Sequence, residues 1–291
     1  IIGINSAKYA TIGGNFIPSE NIGEVLNQGI DACVNWNDKV GEDFTYNLGF
    51  NITFTKNKLR KTNELSNIED YRKSIGQPTS AIFGWQSQGL FGKDVAIAGH
   101  PFQSFGNYQV GDIAYADLNN DGMVDNNDQT RIGQSFPKTT LGVDVTLNYK
   151  GFGLYILGTA TTGVTQMLTS TYYWNKGLDG YSVLAEERYH PVNNPTGTQP
   201  RLTTTSGVNN YRNSTFWTKN GSFFRLKNVE LSYTLNNNSK KGIGKNYKFF
   251  VRGANLFVLS GIKELDPEQM LAGISNYPVY RTITGGVSIN F

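Results

Sequence analysis

The sequence predicts an all-β chain, a stretch of the wall of an antiparallel transmembrane β-barrel. Three observations lead there. Some segments alternate apolar and polar residues without a break, the connections between them alternate short and long, and the composition is rich in aromatics and glycine but poor in proline. Among 291 residues there are 16 Tyr, 17 Phe and 33 Gly against 9 Pro. Only 38% of residues are hydrophobic and the mean hydropathy is −0.38. No run approaches the roughly 20 consecutive apolar residues that a membrane helix needs. In a transmembrane barrel only alternate residues face lipid, so a low average hydropathy is expected.

Weaker strands are expected over 1–10 and 26–37. The clearest segment is Phe44–Thr55, where Phe44, Tyr46, Leu48, Phe50, Ile52 and Phe54 share one face and Thr45, Asn47, Gly49, Asn51, Thr53 and Thr55 the other. That is the period of a strand with one apolar and one polar side, which a helix would scatter around its circumference. Leu141, Val143, Val145, Leu147 and Tyr149 repeat it, and after the tight Lys150-Gly151 turn Phe152, Leu154 and Ile156 resume it. Over 223–235 the phase slips between Leu226 and Val229, which predicts a bulge near Lys227-Asn228. Tyr247, Phe249 and Val251 begin another strand, and Ile283, Val287, Ile289 and Phe291 mark the last.

This makes eight strands, or ten if the long loops hold another hairpin. The connections 38–43, 150–151 and 236–245 are short, whereas 11–25, 57–138, 164–222 and 259–278 are long. Short periplasmic turns and long extracellular loops mark outer-membrane barrels. On that parity the last strand runs down to a periplasmic C-terminus. A soluble, sugar-binding β-sandwich also alternates, but its inner face would be a packed apolar core. Here the opposite face carries Thr, Asn, Ser and Gly. A small self-contained barrel, adhesin-like or porin-like, is the other alternative, because eight strands can close by themselves.

One segment carries definite chemistry. Asp117, Asn119, Asp121, Asp125 and Asp128 place oxygen ligands at positions 1, 3, 5, 9 and 12 of a calcium loop. Met123 would offer its backbone carbonyl at position 7, and Gly122 stands where the chain must turn sharply. The expected ion is Ca²⁺ in a structural role, pinning a long loop. Asp128 departs from the longer Glu of an EF-hand, and no flanking helix pair is evident. The alternative is an unmetalled Asx/Gly turn.

Other constellations give less. Trp85, Tyr172, Tyr173 and Trp174, with Trp217, lie in or beside the long loops. Exposed, they could stack on sugar rings or receive a partner protein; they could equally pack the loops together. Lys56, Lys58, Arg60 and Lys61 follow the Phe44–Thr55 strand as a solvated charge run, within reach of anionic surface lipid. His100 and His190 are the two histidines and have no metal-ligand spacing with each other or with the single Cys33. No nucleophile elbow or phosphate-binding loop is present, and a net charge of +3 with scattered basic residues argues against nucleic acid. Nothing points to an enzyme.

Several stretches occur together and in order: Gly111–Gly133, the YKGF turn at Tyr149–Phe152, Ser222–Leu235, Val251–Ser260, Glu264–Glu268 and Tyr277–Phe291. In this combination the chain resembles the SusC/RagA family of TonB-dependent outer-membrane transporters of Bacteroidetes. The resemblance implies a barrel of about 22 strands, within the size range of outer-membrane barrels, closed around an N-terminal plug. Residues 1–291 would be the C-terminal part of that barrel, without the plug or TonB box. The resemblance also implies energy from TonB–ExbB–ExbD, a SusD-like surface lipoprotein as a lid on the loops, and glycan or peptide cargo.

Overall fold

The structure is a computed structural model that describes residues 2–4, 19–65, 67–177, 180–203, 209–236, 246–269 and 277–290. Seven strands form one antiparallel sheet: β1 (Glu24–Val40), β2 (Phe44–Lys61), β3 (Thr139–Tyr149), β4 (Phe152–Thr162), β5 (Phe223–Asn236), β6 (Asn246–Ser260) and β7 (Thr282–Asn290). Each lies beside its neighbour in sequence, so the sheet is a meander with β1 and β7 at its edges. The strand expected over 1–10 lies mostly outside the described residues; Ile2–Ile4 pairs with Ser19–Asn21 in a separate ribbon. The charge run at Lys56–Lys61 lies within β2 rather than after it, because β1 keeps pairing with β2 as far as Lys61.

The register puts apolar residues in rows across the sheet. One row runs Trp36, Leu48, Val145, Ile156, Val229, Gly253, Ile283. A lower row runs Val40, Phe44, Tyr149, Phe152, Tyr233, Phe249, Val287, a band of aromatics at the end with the short turns. Cross-strand contacts hold the band, with the Phe152 and Tyr233 rings 4.5 Å apart. The alternate rows are polar, as in Asn37, Asn47, Thr146, Tyr155, Glu230, Arg252 and Thr284, which face the other way.

The Lys150-Gly151 turn has both residues at positive φ, 47° and 87°. That twist matches a two-residue hairpin and joins Tyr149 directly opposite Phe152. The bulge expected near Lys227-Asn228 is present: the β5–β6 register shifts between Leu226 and Asn228. It keeps Leu226 and Val229 on one face although they are three apart.

This sheet has no core of its own. Its apolar face is open, with Phe50 42% and Leu231 57% exposed, and every buried hydrophobic side chain among the described residues lies outside the seven strands. The buried charged side chains in the wall, Arg225 and Glu230, are on the polar face. A soluble sandwich would be the reverse, and every other sheet among the described residues has only two strands. An apolar face outside and charges inside is the pattern of a transmembrane barrel wall.

The core sits above the wall. The connections after β2, β4 and β6 meet at one end of the sheet and bury Trp85, Leu90, Ile113, Tyr115, Leu168, Tyr173, Trp217 and Ile262 as one cluster. Short ribbons stiffen this cap: Ala81–Gly84 with Thr130–Gln134, Ser87–Leu90 with Ile113–Tyr115, and Thr165–Met167 with Thr218–Asn220. None of them joins the wall. In the connection after β4, Val183–Glu187 forms a 3-10 turn.

Candidate functional site

The cap is built around Gly111–Tyr115, all buried. Asp112 is 1% exposed and accepts from the Arg201 guanidinium, with Oδ2 3.0 Å from Nη2. Asn210 Nδ2 donates to Asp112 Oδ1 at 2.7 Å, and the Gln109 amide donates to Oδ2 at 2.8 Å. Gln103 spans the same space: its Oε1 accepts from the Tyr115 amide and its Nε2 donates to Asn209 Oδ1. The indoles are tied in as well, Trp217 Nε1 donating to the Asn210 carbonyl and Trp85 Nε1 to the Asp125 carbonyl, each at 2.7 Å. A buried charge is tolerable only when paired and hydrogen-bonded in this way. The network fastens the connection after β2 to the one after β4. Burial also pushes the Tyr115 and Tyr173 phenols well above the ordinary tyrosine range.

A second set of ionic contacts ties the cap to the polar face of the wall. Arg225 Nη2 donates to both carboxylate oxygens of Asp266 at 2.7 Å, and Lys227 reaches Glu268 at 2.9 Å. Two stretches singled out in sequence, Ser222–Leu235 and Glu264–Glu268, thus bind each other. Lower on the same face Glu230 accepts from Lys248 at 2.6 Å and from Arg252. Sequence reasoning did not single out Asp112, Arg201, Arg225 or Glu230. The last two carried a signal, a charge within an otherwise apolar-polar strand.

The expected site residues fall as follows. Trp85 and Tyr173 are 6% and 3% exposed and belong to the cap core, not to a free surface. Trp174 packs its ring 6.3 Å from Trp217 and 5.7 Å from Tyr211, and Tyr172 stands edge-on to Tyr173. These aromatics pack loops together. His190 Nδ1 accepts the Val192 and Asn193 amides and closes a turn.

In the 117–128 loop the side chains turn onto the loop's own backbone. Asp117 accepts from the amides of Asn120 at 2.7 Å and Gly122 at 2.9 Å. Asp121 accepts from Met123, and Asp125 from Asn127. Asp128, fully buried, accepts from Leu118 and Asp125. Asn119 Oδ1 accepts from the Asp121 amide. Among the described residues no three His, Cys, Asp or Glu side chains converge to hold a metal.

A cavity of about 630 Å³ opens where β2 outruns β3, lined by Lys56, Lys58, Arg131 and Lys138 among others. Residues 76–77 replace β3 as the neighbour of β2 there, bonding to Leu59.

No family model matches the chain. It is 26% identical over 298 residues to the TonB-dependent receptor P26 of Formosa agariphila, covering 94% of this chain and 30% of the relative. It is also 26% identical to the TonB-dependent receptor SusC of Bacteroides thetaiotaomicron, covering 99% of this chain and 29% of the relative. The fold matches a structure of the RagAB peptide importer in its open-open state with a TM-score of 0.72 at 18% identity, over 99% of this chain and 31% of that one. The chain therefore spans under a third of the length of these relatives. By sequence along nearly all of its length, and by the fold of wall and cap together, the chain is a relative of the SusC-type TonB-dependent receptors and corresponds to a β-barrel portion of them.

Proposed function

We propose that this chain forms barrel wall and extracellular cap of an outer-membrane importer of large nutrients, driven through TonB–ExbB–ExbD and covered by a SusD-like lipoprotein. The observation that carries the reading is the inverted wall: apolar rows open on one face, paired charges on the other, and both sheet edges without a partner strand among the described residues. Such edges need further strands to close a barrel. With the short turns toward the periplasm, the cap is extracellular and the end of β7 periplasmic. The cargo is a glycan or a peptide.

Calcium at Asp117–Asp128 belongs to the same proposal. The donor set suits a hard cation, and each carboxylate keeps lone pairs beyond the amides it accepts from.

The test uses outer membranes of the producing cells, solubilised in mild detergent, run unboiled and boiled, with peptides identified by mass spectrometry. The expected result is one heat-sensitive species holding this chain, plug-region peptides and a lipoprotein. A heat-modifiable band containing this chain alone would overturn the importer reading in favour of a small separate barrel.

A further inference from the structure

The cavity beside the top of β2 has basic residues and no acid among its described lining residues. Four basic side chains line it, Lys56, Lys58, Arg131 and Lys138, and no lining residue is an Asp or Glu. Val25, Asn27, Thr55 and Asn57, also in its wall, are in phase with the polar face of the sheet. At about 630 Å³ it is within the ordinary range of small-molecule sites.

The guanidinium of Arg131, an exposed lining residue, is oriented by its neighbours. Arg131 Nη1 donates to Gln77 Oε1 at 2.9 Å and Nη2 to Gln134 Oε1 at 3.0 Å. Gln134 is 8% exposed, and its own Nε2 donates to the carbonyls of Phe136 and Gly163, which fixes its oxygen toward Arg131. Nε reaches the Gly133 carbonyl. Three of the five guanidinium donors are thus held by neutral acceptors, and among the described residues no carboxylate pairs with the charge. Lys138 is positioned as well. Its stem lies against Gly163, where an added Cβ would meet it at 3.0 Å, and its backbone bridges Thr55 and Thr162. Phe136, 66% exposed, adds an apolar face beside the cations, the kind of surface on which a sugar ring stacks.

We propose that this cavity binds an oxyanion, a carboxylate or sulfate ester, carried on the imported cargo, so that the importer selects acidic over neutral oligomers. The inference rests on the import reading and refines its cargo. Arg131 supplies its two remaining donors to the oxyanion, Lys138 adds point charge, and Phe136 receives the ring or chain that carries the acid.

The test takes the whole importer from outer membranes in detergent. Calorimetry compares an oligogalacturonate, a sulfated oligosaccharide and the carboxyl-reduced, neutral form of the first. The parent should bind at least one acidic oligomer about tenfold or more tightly than the neutral one, as loss of charge-assisted hydrogen bonds implies, with affinity falling as salt rises. R131Q/K138Q should remove that preference and leave neutral binding and the heat-sensitive band intact; R131K/K138R should restore part of it. Equal affinity for all three oligomers in the parent would overturn the proposal, and so would an unchanged preference in R131Q/K138Q. Lipopolysaccharide micelles are a separate arm: if they alone bind through Arg131 and Lys138, the site is one for lipid phosphate and the cargo assignment falls. Should the band lack plug peptides while acid selectivity persists, the import reading fails and the anion site stands. An assembled importer without selectivity is the reverse.

Discussion

The wall and the cap of this chain are stabilised by opposite means. The wall has long regular strands and continuous register but no buried hydrophobic side chain among the described residues, whereas the cap has short ribbons, irregular connections and nearly the whole apolar core. In the wall the ladder satisfies the backbone, and lipid supplies the solvent that the apolar rows require. In the cap, side chains from three distant connections do what a soluble domain core does. Damage to the cap should therefore leave the wall in place, and damage to the wall should depend on which face is touched.

The largest effect is expected at Trp217, 2% exposed in the cap core and bonded to the Asn210 carbonyl. Trp217→Ala should destabilise the cap by about 4 kcal/mol through the cavity it leaves. Hydrogen exchange should show faster amides across 85–124 and 209–217, with the wall unchanged and heat-modifiable migration retained. Equal loosening of wall and cap would break the division between them. Next comes Asp112→Ala, which leaves Arg201 and Asn210 facing an empty acceptor and should cost about 3 kcal/mol. Arg201 is partly exposed at 26%, so water recovers part of its charge and the cost stays at the low end. The double variant Asp112→Leu/Arg201→Leu should recover much of the loss, and limited proteolysis of the cap reads both.

On the wall the prediction depends on the face. Val143 lies in the apolar phase and is 41% exposed, while Thr140 lies in the polar row with Thr53 and Thr161. Val143→Arg should cost about 2–4 kcal/mol near the bilayer centre, and Thr140→Arg well under 1 kcal/mol. Denaturant titration of the protein refolded in lipid vesicles would measure both, and equal costs would sink the assignment of faces.

Alkali should separate the regions too. Burial, with Tyr181 and Asp112 nearby, pushes the Tyr211 phenol up to about 12 from an ordinary 10.0, and its hydroxyl donates to the Asn175 carbonyl. The neutral form is the folded one, so the stabilisation is complete below pH 10.0 and is lost as pH rises from there through about 12. Tyrosinate absorbance followed with cap proteolysis should show both rising together in that window. Tyr211→Phe should lose its part of the pH dependence at the cost of one hydrogen bond, about 1 kcal/mol.

The wall was legible in sequence because its signal is local. A period of two, a two-residue turn with Gly151 and a phase slip at Lys227-Asn228 are each contained within a few residues. Only the run Lys56–Lys61 misled, since charged residues beyond Thr55 look like a loop although β1 pairs with them. The cap was not legible because its signal is spread out. Asp112 and Arg201 are 89 positions apart, and Gln103 and Asn209 106 apart, with no spacing rule connecting them. The loop aromatics were visible but not their direction, and Trp85 and Tyr173 turn inward because the connections after β2, β4 and β6 converge on them.

A small effect is also expected of calcium on the 117–128 loop, and it decides how the cap is finished at that point. Asp117 already accepts two amides, Asp128 is buried and shared between Leu118 and Asp125, and Asp125 caps the 3-10 turn Asn126–Asp128. These bonds already brace the loop, and a cation on the carboxylates' remaining lone pairs would add its coordination to them. An ion present at ten times its dissociation constant stabilises by about 1.4 kcal/mol. Calcium added to the EDTA-treated protein should accordingly slow exchange of the Asn120, Gly122 and Met123 amides about tenfold and leave Trp217 indole exchange unchanged. No change on adding calcium would mark the loop as an Asx turn braced by its own backbone. Asp117→Ala would then loosen it equally with and without the ion, since the loss would be that of two amide acceptors and not of a ligand.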